Sequence, residues 1–352
     1  MFELGYRGAR GTQLAQERAF NIATDATVTP IRGQTSNTFA NIALRKPIEG
    51  FSPSSAAIIE NGGSSWYNAL TANLSKRFSK GLQFLASYSW ISALETNPGY
   101  TTTRIAAVLM GNQTRASNYG PDGFIRPQRF VFSYLYELPG AKDKFSLGGR
   151  FLAGWSISGV TTVQSGAPLT VTDVNSLNAF GITSLAGGGN GDRAQLASGC
   201  TYGSVRTPGS VTSNLNHYFN LSCIAPPPVI GADGIATGFG NSGFGIVHGP
   251  AQQGWDISVS KMTPLGHSEA RNLEFRAEFF NAFNHPGFAN PNTSAGTVSC
   301  IMAAPPAGSP CKTQANGPVQ PQVILTPNGS FGKITATNVN PRIIQLALKL
   351  NF

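Results

Sequence analysis

Along segment after segment of this chain, side chains alternate between apolar and polar with a period of two. That period sends successive side chains to opposite faces of a strand, whereas a helix repeats near 3.6. In 81–91, Leu82, Phe84, Ala86, Tyr88 and Trp90 share one face, and Gln83, Leu85, Ser87, Ser89 and Ile91 the other. Trp66, Leu70, Ala72, Leu74 and Phe78 lie opposite Thr71, Asn73, Ser75 and Arg77, and Phe130, Phe132, Tyr134, Tyr136 and Leu138 lie opposite Arg129, Ser133 and Glu137. Phe151, Ala153, Trp155, Ile157 and Val163 share a face of 151–164, and 255–262 repeats the pattern. Leu273, Phe275, Ala277 and Phe279 then stand against Glu274, Arg276 and Glu278, and Ile344, Leu346, Leu348, Leu350 and Phe352 against Gln345, Lys349 and Asn351. With Phe2, Leu4 and Tyr6 at the start, about eight strands are predicted.

The connections alternate too. Short ones fall near 79–80, 139–147 and 263–271, and long ones at 8–65, 92–127, 165–254 and 286–341. Loops beyond about 15 residues are unusual in compact soluble domains, and four on one side do not suit a sandwich. With the C-terminus on the periplasmic side, every short turn falls there and every long loop outside, as in transmembrane barrels. The predicted fold is therefore all-β: an antiparallel transmembrane β-barrel portion of about eight strands, with short periplasmic turns and long extracellular loops, in the cell outer membrane.

Composition agrees. Charged residues make up 12% of the chain, with 41 glycines and 23 prolines, which disfavours both a charged disordered chain and a helical domain. The longest apolar runs, such as 130–136, fall short of the 18 residues a transmembrane helix needs. The net charge of +9 comes from scattered Lys and Arg without a basic cluster, so nucleic acid is not an expected partner. Met1 to Arg7 does not read as a signal peptide. A lipid-face charge at mid-bilayer costs roughly 2 to 4 kcal/mol, and the two lipid-parity lysines, Lys76 and Lys261, both fall near periplasmic ends. Trp66, Tyr88, Trp90, Phe130 and Trp255 fall near outer ends, and Phe78, Phe151 and Phe352 near inner ends, as interfacial girdles require.

The run Tyr67-Asn68-Ala69-Leu70 through Lys76-Arg77-Phe78-Ser79-Lys80-Gly81-Leu82, with Tyr88-Ser89-Trp90, resembles the barrel of Oar-like TonB-dependent transporters of the Acidobacteria type. So do Gly154-Trp155-Ser156-Ile157-Ser158-Gly159, Gln164-Ser165-Gly166-Ala167-Pro168, and Phe275 through Pro286 with its Asn281-Ala282-Phe283-Asn284-His285. Pro341 to Phe352 looks like that family's closing strand, and Leu346, Leu348, Leu350 and Phe352 resemble the signal read by the barrel assembly machinery. The resemblance implies a 22-stranded barrel with an N-terminal plug, TonB box and signal peptide. Residues 1–352 would then be its C-terminal part, those three elements being absent and the chain a fragment of a larger receptor. Implied partners are outer-membrane lipid and lipopolysaccharide, the assembly machinery, an unknown nutrient, and TonB only through the missing plug.

Other motifs are weaker. Cys200 and Cys223 share one long loop, and Cys300 and Cys311 another, so pairing within each loop is the economical expectation, although three connectivities and free thiols stay open. Neither pair has zinc spacing. Gly238-Phe239-Gly240-Asn241-Ser242-Gly243 matches a dinucleotide fingerprint in letters but lacks the flanking strand and helix, and Ser242 lacks a nucleophile elbow. His217, His248, His267 and His285 are isolated. No catalytic arrangement emerges, so neither enzyme activity nor a cofactor is expected. Glu274, Arg276 and Glu278 make a candidate lumen charge strip, more simply read as structural pairing on a wet face than as a binding strip. The functional expectation is nutrient uptake, with a complete eight-stranded adhesin or structural anchor as the rival and a soluble carbohydrate-binding sandwich as a third reading.

Overall fold

The computed structural model describes residues 1–19, 21–51, 57–96, 108–109, 119–140, 146–181, 192–265 and 268–352. Eight long strands follow one another through a single sheet: β1 (Phe2–Ala19), β2 (Ala57–Ser79), β3 (Leu82–Glu95), β4 (Gln128–Glu137), β5 (Trp155–Gln164), β6 (Gln252–Leu265), β7 (Ser268–Phe280) and β8 (Ile343–Asn351). Each pairs antiparallel with its neighbours in sequence. The sheet is open: among the described residues β1 and β8 do not pair with each other, and β1 meets only the short parallel strand Val108–Leu109 on its far side.

Residues directly opposite in an antiparallel pair point to the same face, so register decides whether eight separate alternations add up to one surface. They do. One rung runs Lys76, Phe84, Tyr134, Gly159, Ile257, Phe279, Ile344. The next runs Gln83, Leu135, Ser158, Ser258, Glu278, Gln345. The first gathers the apolar parity of every strand it crosses; the second gathers mostly polar residues. A one-residue slip in any pair would have exchanged the faces beyond it. Both rungs climb from the turn end of β2 or β3 to the loop end of β8, the stagger that tilts strands in a barrel wall.

The apolar face stays open: Phe2, Leu4, Leu346 and Leu348 are each more than 60% exposed. Its two lysines lie at its turn-end margin. Lys76 Nζ donates to the carbonyls of Ser79 (2.8 Å) and Leu82 (3.0 Å), and Lys261 Nζ donates to the Ala153 carbonyl beside the Trp155 ring, so the stems cover apolar surface while backbone carbonyls meet the charges. Gly159 makes room for an aromatic. A Cβ there would lie 2.8 Å from the Tyr134 hydroxyl oxygen and 2.6 Å from the Asp256 carbonyl, and Tyr134 in turn lies 5.3 Å from the Phe132 ring. The Lys80-Gly81 turn joining β2 and β3 has positive φ at both residues, 52° and 77°, the geometry of the tightest hairpins.

Two expectations need correction. The first long loop is shorter than 8–65, because β1 and β2 continue as a paired ribbon to Ala19 and Ala57, leaving 20–56. That ribbon is Gly-rich and polar, which weakened its alternation signal. Phe151 does not open β5; it belongs to a short helix, Leu147–Leu152, with the Ser146 side chain accepting from the Gly149 N–H, and Gly154 at φ 79° turns the chain into the strand. The main hydrophobic cluster, including Val171, Val205, Tyr218, Phe219, Val247 and Phe331, lies wholly in the loop segments between β5 and β6 and between β7 and β8. The predicted long loop 92–127 lies mostly in 97–107 and 110–118, outside the described residues.

Face assignment predicts that Leu346→Lys lowers folded stability in detergent or lipid by about 2–4 kcal/mol, while Gln345→Lys, facing Glu278, changes it by less than about 1 kcal/mol. Urea titration of the refolded chain measures both, and the opposite ranking would reverse the faces.

Candidate functional site

The loops build a folded cap at the sheet's outer ends. Ser294–Met302 pairs antiparallel with Gln322–Pro327 and parallel with Thr172–Asn175, which pairs with Asp192–Arg193. Two loops are thus stitched into one small sheet. Cys200 is bonded to Cys223 and Cys300 to Cys311, each bridge within one loop, with Cys223, Cys300 and Cys311 buried in the clusters they staple.

The first loop is tied in by buried polar groups. Arg45 is fully buried; its Nη1 donates to the Thr24 carbonyl, its Nη2 to Ala179 in the third loop and its Nε to Asn41 Oδ1, each at 2.7 Å. Burial lowers its pKa, opposed by the charges of Asp25 and Asp233. Asp233 of the third loop accepts from Phe39 N–H of the first at 2.5 Å. These residues have no spacing signature, and sequence reading missed them.

It also missed Asp173 and Asp192. They sit directly opposite on adjacent cap strands, 1% and 4% exposed. Asp192 Oδ2 accepts from Asn175 Nδ2 (3.1 Å) and Asn178 Nδ2 (2.9 Å), whereas both Asp173 oxygens are buried without a hydrogen-bond donor. Burial, reinforced by the Asp192 charge, pushes Asp173 up to about 8. Burial also raises Asp192, against the opposing effect of Asn178, Asn175, the Gly240 N–H and Arg193. Arg193 is likewise buried, its guanidinium 4.9 Å from the Phe244 ring, and burial lowers its pKa.

The polar face below the cap is a wall of small side chains joined across strands: Ser87 to Asn73 (2.7 Å), Ser156 to Ser260 (2.6 Å), Gln164 to Gln252 (3.0 Å) and Asn351 to Asn272 (2.7 Å). The charge strip lies on it. Arg276 reaches Glu274 at 2.7 Å and Glu278 at 3.7 Å along its own strand, with Lys349 and Gln345 opposite the two acids. Its charges pair with one another, and two concavities of about 370 and 310 Å³ flank it, the first including Glu137 and Glu274, the second Asp256 and Glu278. Leu346, Leu348 and Leu350 lie on the apolar face of edge strand β8, and Phe352 follows at its end, 99% exposed. His217, His248 and His285 are far apart in the chain and form no ligand set; His267 lies outside the described residues. Gly238 to Gly243 is irregular, with Gly240 pressed so closely on the Arg193 carbonyl that no side chain fits.

A tilted antiparallel sheet with one open apolar face, one hydrogen-bonded polar face, short turns at one end and a folded cap at the other defines the wall of a membrane β-barrel. The chain belongs to the outer membrane beta barrel domain family, whose model matches residues 1–345, and its place is the outer membrane. No curated protein and no solved structure matches it.

Arg45→Met should remove the clamp between the first and third loops and destabilise the cap by on the order of 3 kcal/mol, measured as faster loop cleavage by added protease; unchanged cleavage would count against the clamp. The acid pair fixes a pH slope. Asp173 binds its proton more tightly folded (about 8) than unfolded (3.8), so the folded state holds the extra proton between those values and cap stability falls as pH rises through that window in metal-free buffer. Asp173→Asn should flatten the slope; a stability that rises with pH there would contradict the burial.

Proposed function

We propose that this chain forms a sector of the wall and the outer cap of a wide barrel that takes up a scarce nutrient, in the manner of TonB-dependent transporters. The observation that carries the reading is the inner face. An eight-stranded barrel is just wide enough for side chains to fill its interior. Here the stretch of that face through Thr71, Asn73, Ser87, Ser133, Ser158 and Ser258 carries short side chains suited to lining water or a separate folded segment, with long ones such as Arg7, Arg276 and Lys349 toward the edge strands. The open sheet supports the same view, since unpaired edges in lipid cost several kcal/mol per group and further strands would satisfy them. In this reading the cap first meets the nutrient, the wet wall lines its route, and a plug within the lumen couples release to TonB.

The rival, a complete eight-stranded adhesin, requires β1 to pair with β8. Paired cysteines, one among Glu3, Gly5 and Arg7 and one among Gln345, Ala347 and Lys349, test this in cells under oxidising conditions. The wide-barrel reading expects no crosslink within the chain in any combination; an efficient one supports the small barrel. Deleting the gene should then abolish uptake of one nutrient, an uptake that a proton uncoupler also stops in the wild type, and growth and uptake unaffected by deletion would remove the transport function.

A further inference from the structure

We infer that Asp173 and Asp192 form a binding site inside the cap for one divalent cation of the hard, oxygen-preferring class, with Ca²⁺ the fitting ion. The two carboxyl groups are a directly opposed pair on neighbouring strands, and side chains so placed have Cβ atoms about 5 Å apart. Alternation sends Arg193 and Thr172 to the other face of that ladder, where the Arg193 guanidinium lies against Phe244. The facing groups are therefore two acids; the amides of Asn175 and Asn178, the Gly240 N–H and the Arg193 charge act on Asp192, and none of them relieves Asp173.

Asp173 is the anomaly. A carboxyl group 1% exposed, with neither oxygen receiving a donor, stands opposite a second carboxylate. Burying a polar group without a partner is costly, and burying a charge far more so, unless a partner neutralises it. A proton on Asp173 removes its charge but brings no donor to its second oxygen. A divalent cation balances both carboxylates and takes the two free oxygens as ligands. The donors are oxygens without histidine or free thiol among them, which selects a hard ion. Between two backbone-paired strands, Ca²⁺, which tolerates irregular coordination, fits better than Mg²⁺, which demands near-ideal octahedral geometry and keeps its waters. With two carboxylates and, among the described residues, no third His, Cys, Asp or Glu grouped with them, the charge count is that of a weak extracellular site.

Loading displaces the Asp173 proton, so affinity rises with pH. The test uses the full chain, refolded with its disulfides into detergent free of lipopolysaccharide and titrated with CaCl₂ after EGTA treatment. One Ca²⁺ per chain is expected, with a midpoint of about 10⁻⁴ to 10⁻³ M at pH 8, weaker binding at pH 5, and a melting temperature several degrees higher when loaded. Asp173→Asn, which keeps shape and removes charge, should weaken binding at least tenfold. If the wild type takes up no Ca²⁺ by about 10 mM, well above that range, the site does not exist, and this result needs no variant. Binding that survives undiminished in folded Asp173→Asn also overturns it.

Discussion

Inside a bilayer no water is at hand to satisfy a backbone amide or carbonyl, and each one left alone costs several kcal/mol. The wall of this protein is organised around that constraint. Its strands pair in register from β1 to β8, and because pairing fixes register, it also fixes which side chains meet lipid. The bulges between Thr12 and Ala15 fall near the loop end of the β1–β2 ribbon, where water can satisfy a group that the ladder drops. The two open edges concentrate the unmet demand of the whole sheet, and so they set the question of what completes the barrel.

Wall and cap are stabilised by different means. The wall buries little against itself: few of its side chains reach the interior clusters, and many of its large apolar residues are exposed to what must be lipid. The cap has what the wall lacks, namely a packed core, two disulfides and a fully buried arginine. Charge follows the same division. On the wall, Arg276 between Glu274 and Glu278 is a wet, screened ladder of modest worth. In the cap, Arg45, Asp173 and Asp192 are removed from water, where each needs specific partners and losing one is expensive.

Period-two alternation made the wall legible, because lipid on one side and water on the other impose opposite demands on neighbouring residues. Even the parity of Lys76 and Lys261 could be read, and each ammonium is met by backbone carbonyls at the turn ends of the strands. Legibility failed where that contrast fades. The outer halves of β1 and β2 stand beyond any apolar band, so Gly11 and Gly63 look like loop while forming a ladder. Phe151 reads as the start of a strand because it happens to continue the parity of Trp155, and only the Ser146 cap and Gly154 turn reveal the helix that holds it. In the cap, alternation carries no information: Asp173 and Asp192 become neighbours through a two-residue strand pairing, and nothing in their spacing announces it.

The short polar side chains of the inner wall link these observations. Barrel interiors must be filled, by their own side chains when narrow and by water or another segment when wide. Ser87 bonded to Asn73 and Ser156 bonded to Ser260 satisfy their neighbours across the strands, so the wall is complete as a surface without reaching far into the space it faces. A cap whose main core is drawn from loop residues does not need wall side chains for its packing, so its loops can vary without disturbing the ladder beneath. That independence lets hydrophobic burial concentrate outside the membrane, while the strands that cross it keep their apolar residues for lipid.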